Sequence, residues 1–232
     1  MPPTTIHLRP TAALADRALL TGDPGRALAL AQALFDETPK MFNHNRGLWG
    51  YTGTAIDGGP LTVQSTGMGG PSAAIVLEEL CDLGLRRAVR VGTCTALGAT
   101  ARPGELIAVT EALALDGTSR ALGAGERPAA DAALTAALAA EAEHAGPVSS
   151  SDLFYPRREG TRAAQARAGA LAADLQTAAV LAVARRRGIA AGAVLAVTEA
   201  DGERLDDEAV AEAAVRAGHA ALTALRPVAA PR

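Results

Sequence analysis

Three short segments that read as strands in this chain each lead into a glycine-bearing turn, and that arrangement restricts the possible folds more than any other feature. Ala18 to Leu20 leads into Thr21-Gly22-Asp23-Pro24-Gly25-Arg26, residues 60–66 into Gly67-Met68-Gly69-Gly70-Pro71-Ser72, and Ala88 to Val91 into Gly92-Thr93. The first two turns are followed by segments of helical composition, GRALALAQALF and PSAAIVLEELCDLGL. Strands alternating with helices predict an α/β domain in which helices cover a sheet. Asp23 is the expected N-cap of the first helix and Pro24 its first residue. Asp57-Gly58-Gly59 predicts a hairpin joining residues 48–56 and 60–66.

Downstream the alternation continues. Glu105 to Thr110 and Ala191 to Val197 read as strands, and Ala133 to Ala145, Asp174 to Arg187 and Asp207 to Leu225 as helices. Residues 116–132 and 149–160 read as irregular, because Gly, Asp, Ser and Pro are frequent there. No repeat or long linker divides the 232 residues, so one domain, 1–232, is expected.

With 49% apolar and 20% charged residues the chain can bury a large core. A net charge of -3 and 3% aromatics exclude the basic or stacking surfaces that bind nucleic acid. Cys81 and Cys94 are too few for a disulfide framework and are expected as buried thiols. No apolar stretch is long enough for a membrane span, and MPPTTIHLRP lacks the pattern of a signal peptide, so a cytoplasmic protein is expected.

The turns point to an anion. Glycine lets a backbone approach an oxyanion, and helix N-termini at strand ends present free N–H groups. Arg26 in a first helical turn can donate a forked pair of hydrogen bonds. Arg90 interrupts an apolar strand, and burying an unpaired guanidinium is costly, so either a carboxylate or a ligand must face it.

The run Ser65-Thr66-Gly67-Met68-Gly69-Gly70-Pro71-Ser72, continuing to Leu80, resembles the signature of the family that contains bacterial hexameric purine nucleoside phosphorylase and uridine phosphorylase. Gly22-Asp23-Pro24-x-Arg26 and Arg90-Val91-Gly92-Thr93 resemble its phosphate-binding segments, and the likeness extends over about residues 5 to 225. It implies a twisted mixed β-sheet, partly closed into a barrel and flanked by helices. It further implies inorganic phosphate as co-substrate, with no metal and no other cofactor. Phosphate would sit among Gly22, Arg26, Arg90 and Thr93, with Arg46 arriving from a neighbouring protomer through the segment Arg46-Gly47-Leu48-Trp49-Gly50. His7 would reach the sugar from across a dimer interface, Met68 would pack on the ribose and Phe154 would stack on the base. Asp174, Leu175 and Gln176 occupy the sugar-binding segment, while Thr95 and Thr198 border the base. Glu199, beside Thr198, is the candidate acid, and Arg90 joins it as a candidate catalytic group. Homo-oligomers built from dimers into a hexamer follow from the same likeness.

The sugar and base half departs from the family pattern. Gln176 stands where the family has glutamate, Glu199 where purine phosphorylases have aspartate, and Thr95 where glycine is usual. Val210 or Glu212 stands where an arginine assists that aspartate. Arg158 and Gly160 replace the pair that reads uracil. The reading is phosphorolysis of a purine or pyrimidine nucleoside to free base and (deoxy)ribose 1-phosphate. Two other readings stay open: a weak or inactive member that binds phosphate or nucleoside, and a nucleosidase.

Overall fold

The computed structural model describes residues 5–155 and 160–226. The chain begins with β1 (Arg17–Thr21), α1 (Pro24–Leu34), β2 (Lys40–Asn43) and a short turn of 3-10 helix at Asn45–Gly47. The hairpin β3 (Gly50–Thr54) and β4 (Pro60–Ser65) follows, then α2 (Gly69–Asp82), β5 (Arg87–Ala96) and β6 (Leu106–Ala114). Two helices, α3 (Gly117–Ala121) and α4 (Ala132–Ala139), precede β7 (His144–Ser150), α5 (Thr161–Arg167) and β8 (Ala172–Asp174). The chain closes with α6 (Thr177–Arg187), β9 (Ala190–Ala200), β10 (Glu203–Arg204) and α7 (Asp207–Ala224).

The strands form one mixed sheet in the order β10-β9-β6-β7-β8-β5-β1-β4-β3-β2. β5 also pairs in parallel with β9, which closes β9, β6, β7, β8 and β5 into a five-stranded ring. β1 lies parallel to both β4 and β5, so the turns after β1 and β4 meet beside the middle of β5, which runs on to Ala96. Closure removes strand edges on the barrel side, where open N–H and C=O groups would otherwise invite association.

Two apolar layers hold the helices to the sheet. Leu77 and Leu80 of α2 and Val180 and Val183 of α6 pack with Ala88 and Cys94 of β5 on one face. Leu30 and Leu34 of α1 and Ala217 and Leu222 of α7 pack with Val89 and Val91 on the other. Consecutive residues of β5 thus serve opposite layers, as the two-residue period of a strand requires. α1 and α7 approach closely because Gly218 has no side chain; a Cβ there would lie 2.4 Å from Leu30 Cδ2. Asp57 in the hairpin turn pairs with Arg17 at 2.6 Å, both nearly inaccessible, and this hydrogen bond holds the Asp57 carboxyl below the usual carboxylate range.

Several expectations are revised. β2, β8 and α5 were not anticipated, and α3 occupies part of a segment read as loop. The alanine-rich helix stops at Ala139 rather than Ala145, because His144 and Ala145 pair with Ile107 and Ala108. Residues 149 and 150, read as irregular, end β7 instead. Asp174 ends a strand rather than opening a helix. Cys94 is buried as expected, whereas Cys81 is only partly covered.

Candidate active site

The turns after β1 and β4 and the inner part of β5, which runs on as strand through Gly92-Thr93 to Ala96 where the sequence had suggested a turn, open into a cavity of about 390 Å³, within the size range of small-molecule sites. At one end Asp23 caps α1, its carboxylate accepting the N–H of Arg26 at 2.7 Å. That cap places Arg26 in the cavity wall beside Gly22. Burial pushes the Arg26 guanidinium below its usual pKa; Asp23 opposes this and nearby Arg90 adds to it. Among the described residues its side chain has neither a hydrogen-bond nor an ion-pair partner. A desolvated cation that no carboxylate among the described residues pairs with directly suits an anionic ligand.

Arg90 is held differently. Its Nε and Nη2 donate to Asp174 Oδ2 at 3.2 and 2.8 Å, and Nη1 donates to Gln176 Oε1 at 2.7 Å. Of the two partners the sequence left open, a carboxylate is therefore the one present. Asp174 is fully committed: it also accepts from Ser150 Oγ, from Thr177 Oγ1 and from the N–H groups of Gln176 and Thr177. These last donors belong to the N-terminus of α6, which favours negative charge. A guanidinium has five N–H groups, and the recorded bonds use Nε and one each on Nη1 and Nη2. One N–H on each terminal nitrogen is left for a ligand. Gly92 makes this pose possible, since a Cβ at that position would lie 2.7 Å from the Arg90 guanidinium carbon.

Gln176 seals the floor between the two turns. Its Nε2 donates to the carbonyls of Gly67 and Gly69 at 2.6 and 3.2 Å, while its Oε1 accepts from Arg90. Both amide hydrogens are thereby spent, and toward a sugar Gln176 offers only acceptor capacity. Thr93, Leu175 and the highly exposed Met68 also line the cavity.

The other end is built from β9 and the segment after β7. Thr95 pairs with Glu199 rather than with Thr198, because the β5–β9 register shifts between Cys94 and Thr95. This irregularity puts both Thr198 and Glu199 on the cavity wall. Thr198 Oγ1 is turned to Cys94 O at 3.2 Å. Glu199 pairs with Arg162 Nη1 at 3.0 Å. Phe154 lines the same end, half-exposed, and meets Tyr155 edge-on with ring centroids 4.8 Å apart. Val210 lines the cavity but carries no charge, and Arg158 lies outside the described residues. Among the described residues, the arginines at this end are Arg162 and Arg204, which sequence reasoning missed.

His7 and Arg46 do not line this cavity. The Glu79 carboxylate gathers the N–H groups of Ile6, His7 and Leu8 and meets His7 Nδ1 at 2.7 Å. Burial works to raise the Glu79 carboxyl, but these donors outweigh it and hold it below the usual range. Asn45 Nδ2 donates to His7 O at 2.7 Å, which ties the N-terminal segment to the turn carrying Arg46. Arg46 is exposed and has φ 59, a conformation unusual for a side chain of its size.

Comparison with known proteins identifies the family. The family model described as the phosphorylase superfamily matches residues 16–229. The chain is 34% identical over 187 residues to the guanosine phosphorylase of Halorubrum lacusprofundi, covering 78% of this chain and 76% of that protein. It is 34% identical over 198 residues to the DeoD-type purine nucleoside phosphorylase of Geobacillus kaustophilus, covering 82% and 83%. With the uridine phosphorylase of Escherichia coli it shares 33% identity over 150 residues, covering 61% and 58%.

Proposed function

This chain belongs to the phosphorylase superfamily, and from that membership and the shape of its cavity we propose that it is a nucleoside phosphorylase. It cleaves the N-glycosidic bond with phosphate, giving free base and a pentose 1-phosphate. The observation that carries this reading is the desolvated Arg26, with no hydrogen-bond or ion-pair partner for its side chain among the described residues and near Arg90, where the end of β1 lies beside the middle of β5.

Phosphate lies against the Gly22 backbone, Arg26, Thr93 and the two uncommitted N–H groups of Arg90. Held there, an oxygen is aligned with C1′ of the sugar, and orientation supplies much of the rate. The C1′–N bond breaks first, positive charge gathers on the sugar ring, and the phosphate oxygen then bonds to C1′. Met68 packs on the ribose, Leu175 lies beside it, and Gln176 accepts a hydrogen bond from a sugar hydroxyl. Asp174 acts from behind by fixing Arg90. Thr95, Phe154 and Thr198 border the base, and Glu199 faces its ring nitrogens. A purine base is favoured by the Arg46-Gly47-Leu48-Trp49-Gly50 segment. A hydrolase has no use for an unpaired Arg26, which speaks against a nucleosidase.

His7 and Arg46 lie together on a surface away from their own cavity. We place them in the site of a neighbouring copy, in dimers that assemble to a hexamer in the cytoplasm. The decisive experiment incubates the protein with inosine, adenosine, guanosine, uridine and thymidine, with and without phosphate. Phosphate-dependent release of base is expected, and no turnover of any nucleoside refutes the reading.

A further inference from the structure

The base end of the cavity contains a guanidinium that none of these roles uses. Arg162 stands in the first turn of α5, its Nη1 3.0 Å from Glu199 Oε1, with the two side chains 50% and 24% exposed. The pair lies in the wall that this cavity shares with an adjoining opening, together with Phe154 and Arg204. Its recorded hydrogen bond among the described residues is the one to Glu199. Of the five N–H donors of a guanidinium, four are therefore left. A single charge-assisted bond fixes the head group without consuming its capacity to donate.

Phosphorolysis needs such a group. When the C1′–N bond breaks, its electron pair stays on the base nitrogen and the base departs carrying negative charge. A carboxylate alone at that end, Glu199, would oppose the developing charge. A fixed cation stabilises it without a proton in flight. We propose that Arg162 is a catalytic residue that stabilises the departing base as an anion, with Glu199 holding it in place. The step balances as one bond broken, C1′–N with its pair to the base, and one bond formed, C1′–O from phosphate; the free base then takes a proton from water. This rests on the nucleoside phosphorylase reading and adds to it the group that accepts the leaving charge.

The test compares wild type with Arg162→Ala and Arg162→Lys on two matched pairs, guanosine with 7-methylguanosine and uridine with 5-fluorouridine, using whichever pair wild type cleaves. The methylated purine is already cationic and leaves neutral, and fluorination stabilises the uracil anion. Arg162→Ala is expected to lower kcat/KM for the parent nucleoside about 100-fold, the scale of one lost oxyanion donor. For the activated partner the loss is expected to be about 5-fold or less, by the same argument. Arg162→Lys recovers part of the difference, and KM for phosphate does not change. Equal losses on both members of a pair, or no loss on either, overturn the role of Arg162 while leaving the phosphorylase reading intact. A wild-type protein that cleaves neither these four nor inosine, adenosine or thymidine with phosphate overturns both.

Discussion

The two ends of the cavity are built in contrasting ways. At the end proposed for phosphate, Arg26 and Arg90 stand on α1 and β5, beside the parallel pairing of Arg17 to Leu20 with Arg87 to Arg90, and Arg90 and Asp174 are almost inaccessible to solvent. At the base end, Glu199 leaves β9 where its register slips, and Phe154 and Arg162 sit half-exposed on short connecting structure. The contrast suits what each end is proposed to recognise. Phosphate has one shape and charge, and a cradle of committed hydrogen bonds suits it. Bases differ in outline and in donor pattern, and an end made from exposed side chains is free to change. On the nucleoside phosphorylase reading proposed above, Thr95, Gln176 and Glu199 stand at the sugar and base positions, and Gly22, Arg26, Arg90 and Thr93 at the phosphate.

Three substitutions can break or sharpen that division. The largest effect is expected for Asp174→Ala, which strands a buried guanidinium and uncaps α6. Breaking a buried ion pair by removing one partner costs about 3–5 kcal/mol, measurable as a fall in unfolding free energy in urea. A loss under about 1 kcal/mol would mean, against that expectation, that the phosphate end is not the rigid one. Next comes Arg26→Ala. One charge-assisted hydrogen bond is worth about 1.5–3 kcal/mol, so KM for phosphate should rise roughly 10- to 100-fold. Without phosphate the variant should unfold no more easily than wild type, because the side chain lost was desolvated and unpartnered. Easier unfolding would show that Arg26 is structural. The smallest effect is expected for Glu199→Gln. Stability should change by less than about 0.5 kcal/mol, as for an exposed pair. KM for nucleoside should rise, by less than about 10-fold, and KM for phosphate should not. A matching loss of phosphate binding would show that the two ends are one network.

Features legible in the sequence were those whose cause is local. Gly22, Asp23 and Pro24 announce a capped helix within a few residues, and the hairpin at Asp57-Gly58-Gly59 is equally self-contained. Arg90 raised a local question, what anion faces it, whose answer lies 84 positions away in Asp174. Nothing near Asp174 marks it as a partner, since β8 is only three residues long and its pairing depends on both β5 and β7. The same holds for Gln176. Its residue type shows capacity to donate and accept, whereas the carbonyls of Gly67 and Gly69 decide that its hydrogens are already spent. Arg162 went unnoticed because a surface helix of seven residues with exposed arginines looks the same whether or not one of them borders a cavity.

The register slip between β5 and β9 has a wider meaning. Opposite Thr95 stands Glu199, where an uninterrupted ladder would have set Thr198. Which side chain greets the base is therefore settled by counting along β9 as well as by spelling. Deleting one residue before Glu199 would present a different neighbour at the wall with no substitution at all, and inserting one would do the same in reverse. With the base placed as proposed, a change of substrate preference here can begin as a change of length, which column-by-column comparison would misread as a change of letter.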